Sequence, residues 1–135
     1  MKKVIVVDDE PDFQLLFQQH FRRERKAGQI DFRFECSGDA ALNYLQNQGE
    51  VDIFLLLTDI NMPGLNGLDL LKIVKSKFSD LKVFVITAYG TNQHYQRAME
   101  YGADAYMTKP IDFSLLKQKL FGLCETRGSG VLFGG

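Results

Sequence analysis

Hydrophobic residues along the chain fall into two alternating kinds of segment. Continuous apolar runs, several of them rich in valine and isoleucine, are typical of strands that are buried on both faces of a sheet. Segments in which apolar residues recur at every third or fourth position are typical of helices that bury one side. Strands are predicted at residues 4–7, 32–36, 53–59, 82–87 and 105–107, and helices at residues 11–27, 40–48, 68–78, 92–101 and 112–124.

Local signals support several of these elements. Pro11 suits the first turn of the first helix, and Asp112 is placed to cap the last one. The second strand alternates phenylalanine with charged residues, which is typical of an edge strand with one solvated face. The fourth helix is mostly polar, and its thin apolar side consists of Tyr95, Ala98 and Met99. We therefore expect that helix to be the least firmly packed.

The order of these elements predicts the fold class. Five strands alternating with five helices indicate βαβ units, and hence a parallel sheet with helices on both faces. Right-handed crossovers then favour a doubly wound α/β architecture. A length of 135 residues suits one domain, which we place at residues 1–124. The glycine-rich residues 125–135 are expected to form a flexible tail or linker, or a cut end of a longer chain.

Composition excludes several function classes. The net charge of −1 gives no support for nucleic acid or an anionic membrane as a partner of the domain. The lysines at positions 2 and 3 precede only four apolar residues, far fewer than a signal peptide or a spanning helix needs. Cys36 and Cys124 lack metal-binding spacing, so we expect reduced, buried thiols in a cytoplasmic protein.

Polar residues follow the predicted strands where each strand ends. Asp8, Asp9 and Glu10 follow the first strand, and the apolar third strand ends in Asp59. The fourth strand ends in Thr87, and Lys109 follows the fifth. Because the carboxyl ends of parallel strands meet at one edge of the sheet, we expect these side chains to converge in a crevice there.

This convergence predicts a particular chemistry. Clustered carboxylates repel one another unless a cation lies among them, and aspartate oxygens favour Mg²⁺. A lysine and a hydroxyl beside such a metal make sense if a phosphoryl group joins it, with Lys109 and Thr87 binding phosphoryl oxygens. Asp59 is then the candidate nucleophile, because aspartyl phosphates are a known covalent form.

Four motifs carry a resemblance to a known family. They are VVDDE at residues 6–10, LLLTDINMPGLNG at 55–67, VITA at 85–88 and YMTKP at 106–110. Together they resemble the receiver domain of two-component response regulators, in particular the single-domain chemotaxis-type regulators, over about residues 2–124. The resemblance implies a flavodoxin-like fold with strand order 2-1-3-4-5.

The resemblance also implies roles for individual residues. Asp59 corresponds to the phosphoacceptor of the family. Asp8 and Asp9 correspond to the acidic pair that holds Mg²⁺, and Asp59 and the main-chain carbonyl of Asn61 are further ligands.

Three further positions match those of the family beside the phosphorylation site. Thr87 and Lys109 correspond to the pair that senses the phosphoryl group, and Tyr106 matches the aromatic switch position. The bond between Lys109 and Pro110 is usually cis in the family.

The implied function is intracellular signalling. A histidine kinase or a histidine phosphotransfer protein would donate the phosphoryl group, and an unknown downstream target or C-terminal effector domain would receive the signal. The domain would catalyse only its own phosphorylation and dephosphorylation, and would not otherwise be an enzyme.

Other interpretations of these residues stay open at this point. Asp8 and Asp9 also suit helix capping, and Gly64 and Gly67 suit turns better than phosphate binding. A Mg²⁺-dependent phosphohydrolase with an aspartyl nucleophile is an alternative, although the haloacid-dehalogenase type needs Asp-x-Asp after the first strand. A pseudo-receiver that only binds partners is a third possibility, against which the complete set of site residues argues.

Overall fold

A five-stranded parallel sheet forms the centre of the protein in the computed structural model, which describes residues 2–47, 53–88 and 90–125. The strands are β1 (Lys2–Val7), β2 (Ile30–Glu35), β3 (Leu55–Asp59), β4 (Lys82–Thr87) and β5 (Ala105–Thr108). They are hydrogen-bonded in the order β2-β1-β3-β4-β5, and every pair is parallel. The predicted doubly wound sheet and its strand order are therefore confirmed.

Helices cover both faces of this sheet. They are α1 (Pro11–His20), α2 (Arg22–Lys26), α3 (Gly38–Asn47), α4 (Gly67–Lys77), α5 (Asn92–Glu100) and α6 (Phe113–Glu125). Side chains close the amino ends of four of them: Ser37, Asn66, Thr91 and Asp112 each accept the backbone N–H of the third residue of the helix. Asp112 thus caps α6 as predicted.

The first helix differs from its prediction, because it divides into α1 and α2 at Phe21. The backbone of Phe21 leaves helical geometry, with φ −106° and ψ 18°. Its ring is fully buried, stacks on Phe17 at 5.9 Å and meets Phe32 of β2 edge-on at 4.9 Å. Aromatic packing holds this turn, and the sequence contains no glycine or proline there to signal it.

Alternate residues of the strands point into two separate cores. On one face, Ile5 and Val7 of β1 pack with residues of α3, α4 and α5. On the other, Val4 and Val6 pack with the phenylalanines of α1, with Phe21 between α1 and α2, and with α6. All of β3 is buried. A strand enclosed on both faces has little freedom to move, so it is a rigid base for the residue at its tip.

Two further predictions were wrong or fall outside the structure. Cys36 is exposed rather than buried, because β2 ends at Glu35 and Cys36 lies in the turn before α3. The side chain of Cys124 and the predicted tail beyond residue 125 lie outside the described residues.

Gly64 has a positive φ of 76° and is a turn residue, as predicted. Among the described helices, none is both long and apolar enough to cross a membrane.

Candidate functional site

Four carboxylates lie together at the carboxyl ends of β1 and β3. These strands are neighbours, with Val7 paired to Thr58, so the residues that follow each strand meet. Asp8 and Asp59 are 2% and 6% exposed, whereas Asp9 and Glu10 are exposed. One oxygen from each of the four lies within 4.8 Å of the others. The predicted acidic cluster is present, and Glu10, which was not among the predicted ligands, belongs to it.

Lys109 reaches into this cluster from the end of β5. Its Nζ lies 2.7 Å from Oδ2 of Asp8, 3.2 Å from Oδ2 of Asp59 and 3.5 Å from Oε1 of Glu10. Its backbone N–H donates to the carbonyl of Thr87, and the bond to Pro110 is cis, as expected. The ammonium group of Lys109 thereby contacts Asp8, 101 positions away in the sequence, and Asp59, 50 positions away.

Burial and neighbouring charged groups have opposite effects on the pKa values of Asp8 and Lys109. Burial raises the pKa of the Asp8 carboxyl above its ordinary value, although hydrogen bonds from Lys109 and from the backbone N–H of Glu10 offset part of that effect. Burial alone would lower the pKa of Lys109, but its contacts with Asp8 and Asp59 outweigh burial and raise it. Lys109 is therefore a charged ammonium at neutral pH.

The donor set of the cluster fits a hard divalent cation. Four carboxylates face one ammonium, so the negative charge is not balanced by the side chains of the cluster themselves. Oxygen ligands from two or three carboxylates, with the remaining positions left for water or substrate, are what Mg²⁺ prefers. Asp8, Asp9, Glu10 and Asp59 all present such oxygens.

The carboxylate of Asp59 is oriented by its own loop. The backbone N–H of Asn61 donates to Oδ1 of Asp59 at 3.3 Å, and Lys109 donates to Oδ2 at 3.2 Å. The Thr58 hydroxyl donates to the main-chain carbonyl of Asp59 at 3.0 Å. Farther along the loop, the N–H of Gly67 donates to the carbonyl of Ile60 at 2.9 Å, which ties the start of α4 to the strand end.

Thr87 and Tyr106 lie on the side of the site formed by β4 and β5. Thr87 is fully buried one residue beyond Ile86, which pairs with Asp59. Tyr106 is half-buried and packs edge-on against Tyr95 of α5 at 5.3 Å. Its buried hydroxyl has no hydrogen-bond partner within the described part of the chain, and burial raises its pKa. Tyr106 lies beside the loop after Thr87 rather than within the acidic cluster.

Two cavities flank the cluster. One, of about 510 Å³, lies between α1 and the loop after β5, where Phe13, Leu16, Lys109, Pro110 and Ile111 are among the lining residues. The other, of about 580 Å³, lies between the loop that follows β3 and the exposed side of α5. Glu10 and Lys109 of the cluster line the first of these cavities, so this edge of the site is open to solvent.

One aromatic contact in the site is not predicted by the sequence pattern. The ring centroid of Phe13 lies 4.4 Å from Nζ of Lys109. The helical pattern identifies Phe13 only as an apolar position of the first predicted helix. Its location in the first turn after the acidic motif was the available signal that it faces the site.

Comparison with known proteins agrees with this geometry. The family profile described as the response regulator receiver domain matches residues 4–121. The chain is 32% identical over 130 residues to a chemotaxis protein CheY homolog of Campylobacter jejuni, and the match covers 95% of each protein. It is 35% identical over 121 residues to the heme response regulator HssR of Staphylococcus haemolyticus, of which it spans about half (49%).

A solved structure extends the comparison. The response regulator TrrA of Thermotoga maritima, in a complex with Mg²⁺ and beryllofluoride, superposes with a TM-score of 0.74 at 29% identity. The match covers 91% of this chain and 99% of that one. The family profile and the relative matched over 95% of its length agree with the strand order and with the position of the acidic cluster. The chain therefore belongs to the response regulator receiver domain family of two-component systems.

Proposed function

We propose that this domain accepts a phosphoryl group on Asp59 in a Mg²⁺-dependent reaction. The observation that carries the proposal is the position of the Asp59 carboxylate, which is buried at the tip of an enclosed strand and contacts Lys109 inside a cluster of three other carboxylates. A surface aspartate would need no such enclosure. The donor is a histidine kinase or a histidine phosphotransfer protein, which places the reaction in the cytoplasm.

The side chains divide the chemistry among them. An oxygen of Asp59 attacks the phosphorus atom, and the bond from phosphorus to the donor breaks with its electron pair leaving on the donor. Lys109 is close enough to Asp59 to pair with an oxygen of the arriving phosphoryl group, and the Thr87 hydroxyl donates to another. The charged state of Lys109 favours this role, because it adds no cost of protonation during transfer.

Asp8, Asp9, Asp59 and the main-chain carbonyl of Asn61 would hold Mg²⁺, and Glu10 is near enough to contribute an oxygen directly or through water. When bound, the metal supplies positive charge that stabilises the phosphoryl oxygens. The four acidic residues would otherwise repel an incoming phosphoryl donor, so removal of the metal should prevent transfer.

The test separates a phosphoacceptor from a hydrolase. With acetyl phosphate and Mg²⁺, we expect one phosphoryl adduct per chain by intact mass, and no adduct in the presence of EDTA. With a generic phosphomonoester, we expect no release of phosphate beyond background, since the domain acts on no substrate other than its own phosphoryl group. Repeated turnover of the phosphomonoester would favour the hydrolase, and lack of any adduct would favour a pseudo-receiver.

A protein donor has an apolar surface to bind next to the site. Leu15 and Leu16 of α1 are 55% and 42% exposed, and Leu16 lines the cavity that Lys109 borders. Large exposed side chains beside a reactive group are typical of an interaction surface. We place the phosphodonor there.

Tyr106 is proposed to transmit the phosphorylated state. A phosphoryl group adds negative charge and strong acceptor oxygens at Asp59, which draws Thr87 inward and moves the loop beside the Tyr106 hydroxyl. Ala98 is the buried residue of α5, while Tyr95 and Met99 are 49% and 42% exposed, so little burial opposes movement of this helix.

Hydrogen exchange measures this movement. With Mg²⁺ and beryllofluoride, protection should change across residues 88–106 and remain constant in β2, at the opposite edge of the sheet from β5. The same additions to Asp59→Asn should change nothing. Unchanged protection across 88–106 in wild-type protein with Asp59 occupied would remove Tyr106 and α5 from the signalling route.

A further inference from the structure

The ammonium group of Lys109 is enclosed by two kinds of partner. On one side are the carboxylates of Asp8 and Asp59, at 2.7 and 3.2 Å. On another is the ring of Phe13, whose centroid lies 4.4 Å away. A cation within about 6 Å of an aromatic centroid is attracted by the negative face of the ring, more strongly where water is excluded. The Lys109 side chain is only 15% exposed, so the attraction is poorly screened.

Phe13 is itself held firmly. It lies in the first turn of α1, where its N–H donates to the carbonyl of Glu10 at 3.1 Å. Its ring is 7% exposed and meets Phe17 edge-on at 5.0 Å. Phe17 in turn contacts four other rings, two on β2, one on α6 and one in the turn after α1. A fixed ring can define the position of a flexible lysine side chain, whereas a mobile ring would follow it.

The two kinds of partner respond differently to a divalent cation. Asp8 and Asp59 are the carboxylates that the proposed metal would share, and positive charge on them weakens both ion pairs with Lys109 and repels its ammonium. The uncharged Phe13 ring keeps its attraction for the ammonium when those carboxylates are neutralised. Its attraction for the ammonium therefore matters most in the state in which Lys109 is needed for phosphoryl transfer.

We propose that Phe13 is a positioning residue whose ring face holds the Lys109 ammonium at the edge of the site while the carboxylates are occupied by a divalent cation. The inference rests on the proposed function, because it assigns Lys109 a task there. Phe13 touches no reacting atom and acts through Lys109.

Fluorinated phenylalanines test the ring face without changing the packing much. Fluorine withdraws electron density from the ring, so 4-fluoro-, 3,5-difluoro- and 3,4,5-trifluorophenylalanine at position 13 should lower the rate of phosphorylation by acetyl phosphate step by step. Phe13→Leu should lower that rate by about threefold to tenfold. The same analogues at Phe17, which lies in the same aromatic cluster but does not contact Lys109, should leave the rate unchanged.

A second readout is independent of activity. The ε-methylene protons of Lys109 should be shifted upfield by the ring current of Phe13 in the NMR spectrum of the metal-free protein, and should stay shifted after addition of Mg²⁺. In Phe13→Leu the shift should be absent in both states. Thermal unfolding of each variant shows whether it is folded at the assay temperature.

The outcomes separate this inference from the proposed function. A rate that is equal in all fluorinated variants, or a Lys109 signal that returns to its unshifted position when Mg²⁺ is added to wild-type protein, overturns the role of Phe13. Failure of wild-type protein to form any adduct overturns the proposed function instead, and the NMR experiment still decides whether the ring holds Lys109.

Discussion

Replacing Asp59 by asparagine is expected to abolish the phosphoryl adduct completely. Asparagine has nearly the same shape as aspartate, and it keeps an oxygen for the hydrogen bond from the Asn61 N–H. It lacks the anionic oxygen that attacks phosphorus, and an amide is too weak a nucleophile to replace it. Intact mass after treatment with acetyl phosphate and Mg²⁺ should therefore show the unmodified chain alone.

A control variant and a stability measurement make this result specific. Asp80→Asn changes an exposed carboxylate just after α4 and should form the full adduct. The free energy of unfolding of Asp59→Asn should change little, because the lost contact with Lys109 is offset by relief of repulsion among crowded carboxylates. An adduct retained in Asp59→Asn, mapped by tandem mass spectrometry to Asp8 or Asp9, would contradict the assignment of the phosphoacceptor.

The central part of this site could be predicted from sequence because it follows from topology. A strand buried on both faces has a clear apolar pattern, and parallel strands bring their carboxyl ends to one edge. Asp8, Asp59 and Lys109 all stand directly at such ends, so their convergence required no knowledge of side-chain conformation. The structure adds the pairing of Lys109 with Asp8 at 2.7 Å, its shortest carboxylate contact.

What the sequence could not show depends on packing between distant elements. The break of the first helix at Phe21 results from ring contacts with β2, and a helical pattern that continues through it carries no sign of them. The alternating pattern predicts a strand that includes Cys36, but pairing with β1 ends one residue earlier, at Glu35. The contact of Phe13 with Lys109 joins a helix to a loop 96 positions away, and a phenylalanine in an apolar stripe indicates only burial.

Replacing Gly67 by alanine is expected to destabilise the fold and displace Asp59. Gly67 is the first residue of α4, and it packs directly against the backbone at the end of β3. A Cβ placed there would overlap the carbonyl oxygen of Asp59, and would lie 2.7 Å from its carbonyl carbon and 2.8 Å from Cα of Ile60. These are backbone atoms of a buried strand, so no side-chain rotation relieves the overlap, and α4 or the strand end must move. We expect a loss of about 2–4 kcal/mol in the free energy of unfolding, measured by urea denaturation.

A second glycine provides the matched control for this effect. Gly122 lies inside α6, and a Cβ there would meet no atom within 4 Å. Gly122→Ala should therefore stabilise the protein by about 0.5–1 kcal/mol, because alanine loses less conformational freedom than glycine in a helix. Opposite signs for one added methyl group would show that close approach at Gly67, rather than helix propensity, decides the outcome.

Because the overlap falls on the residue that carries the nucleophile, Gly67→Ala should also slow phosphorylation by acetyl phosphate under conditions where it remains folded. Equal free energies of unfolding for Gly67→Ala and wild-type protein would mean that α4 can move away from β3 without loss of stability. The end of β3 would then not hold Asp59 rigidly.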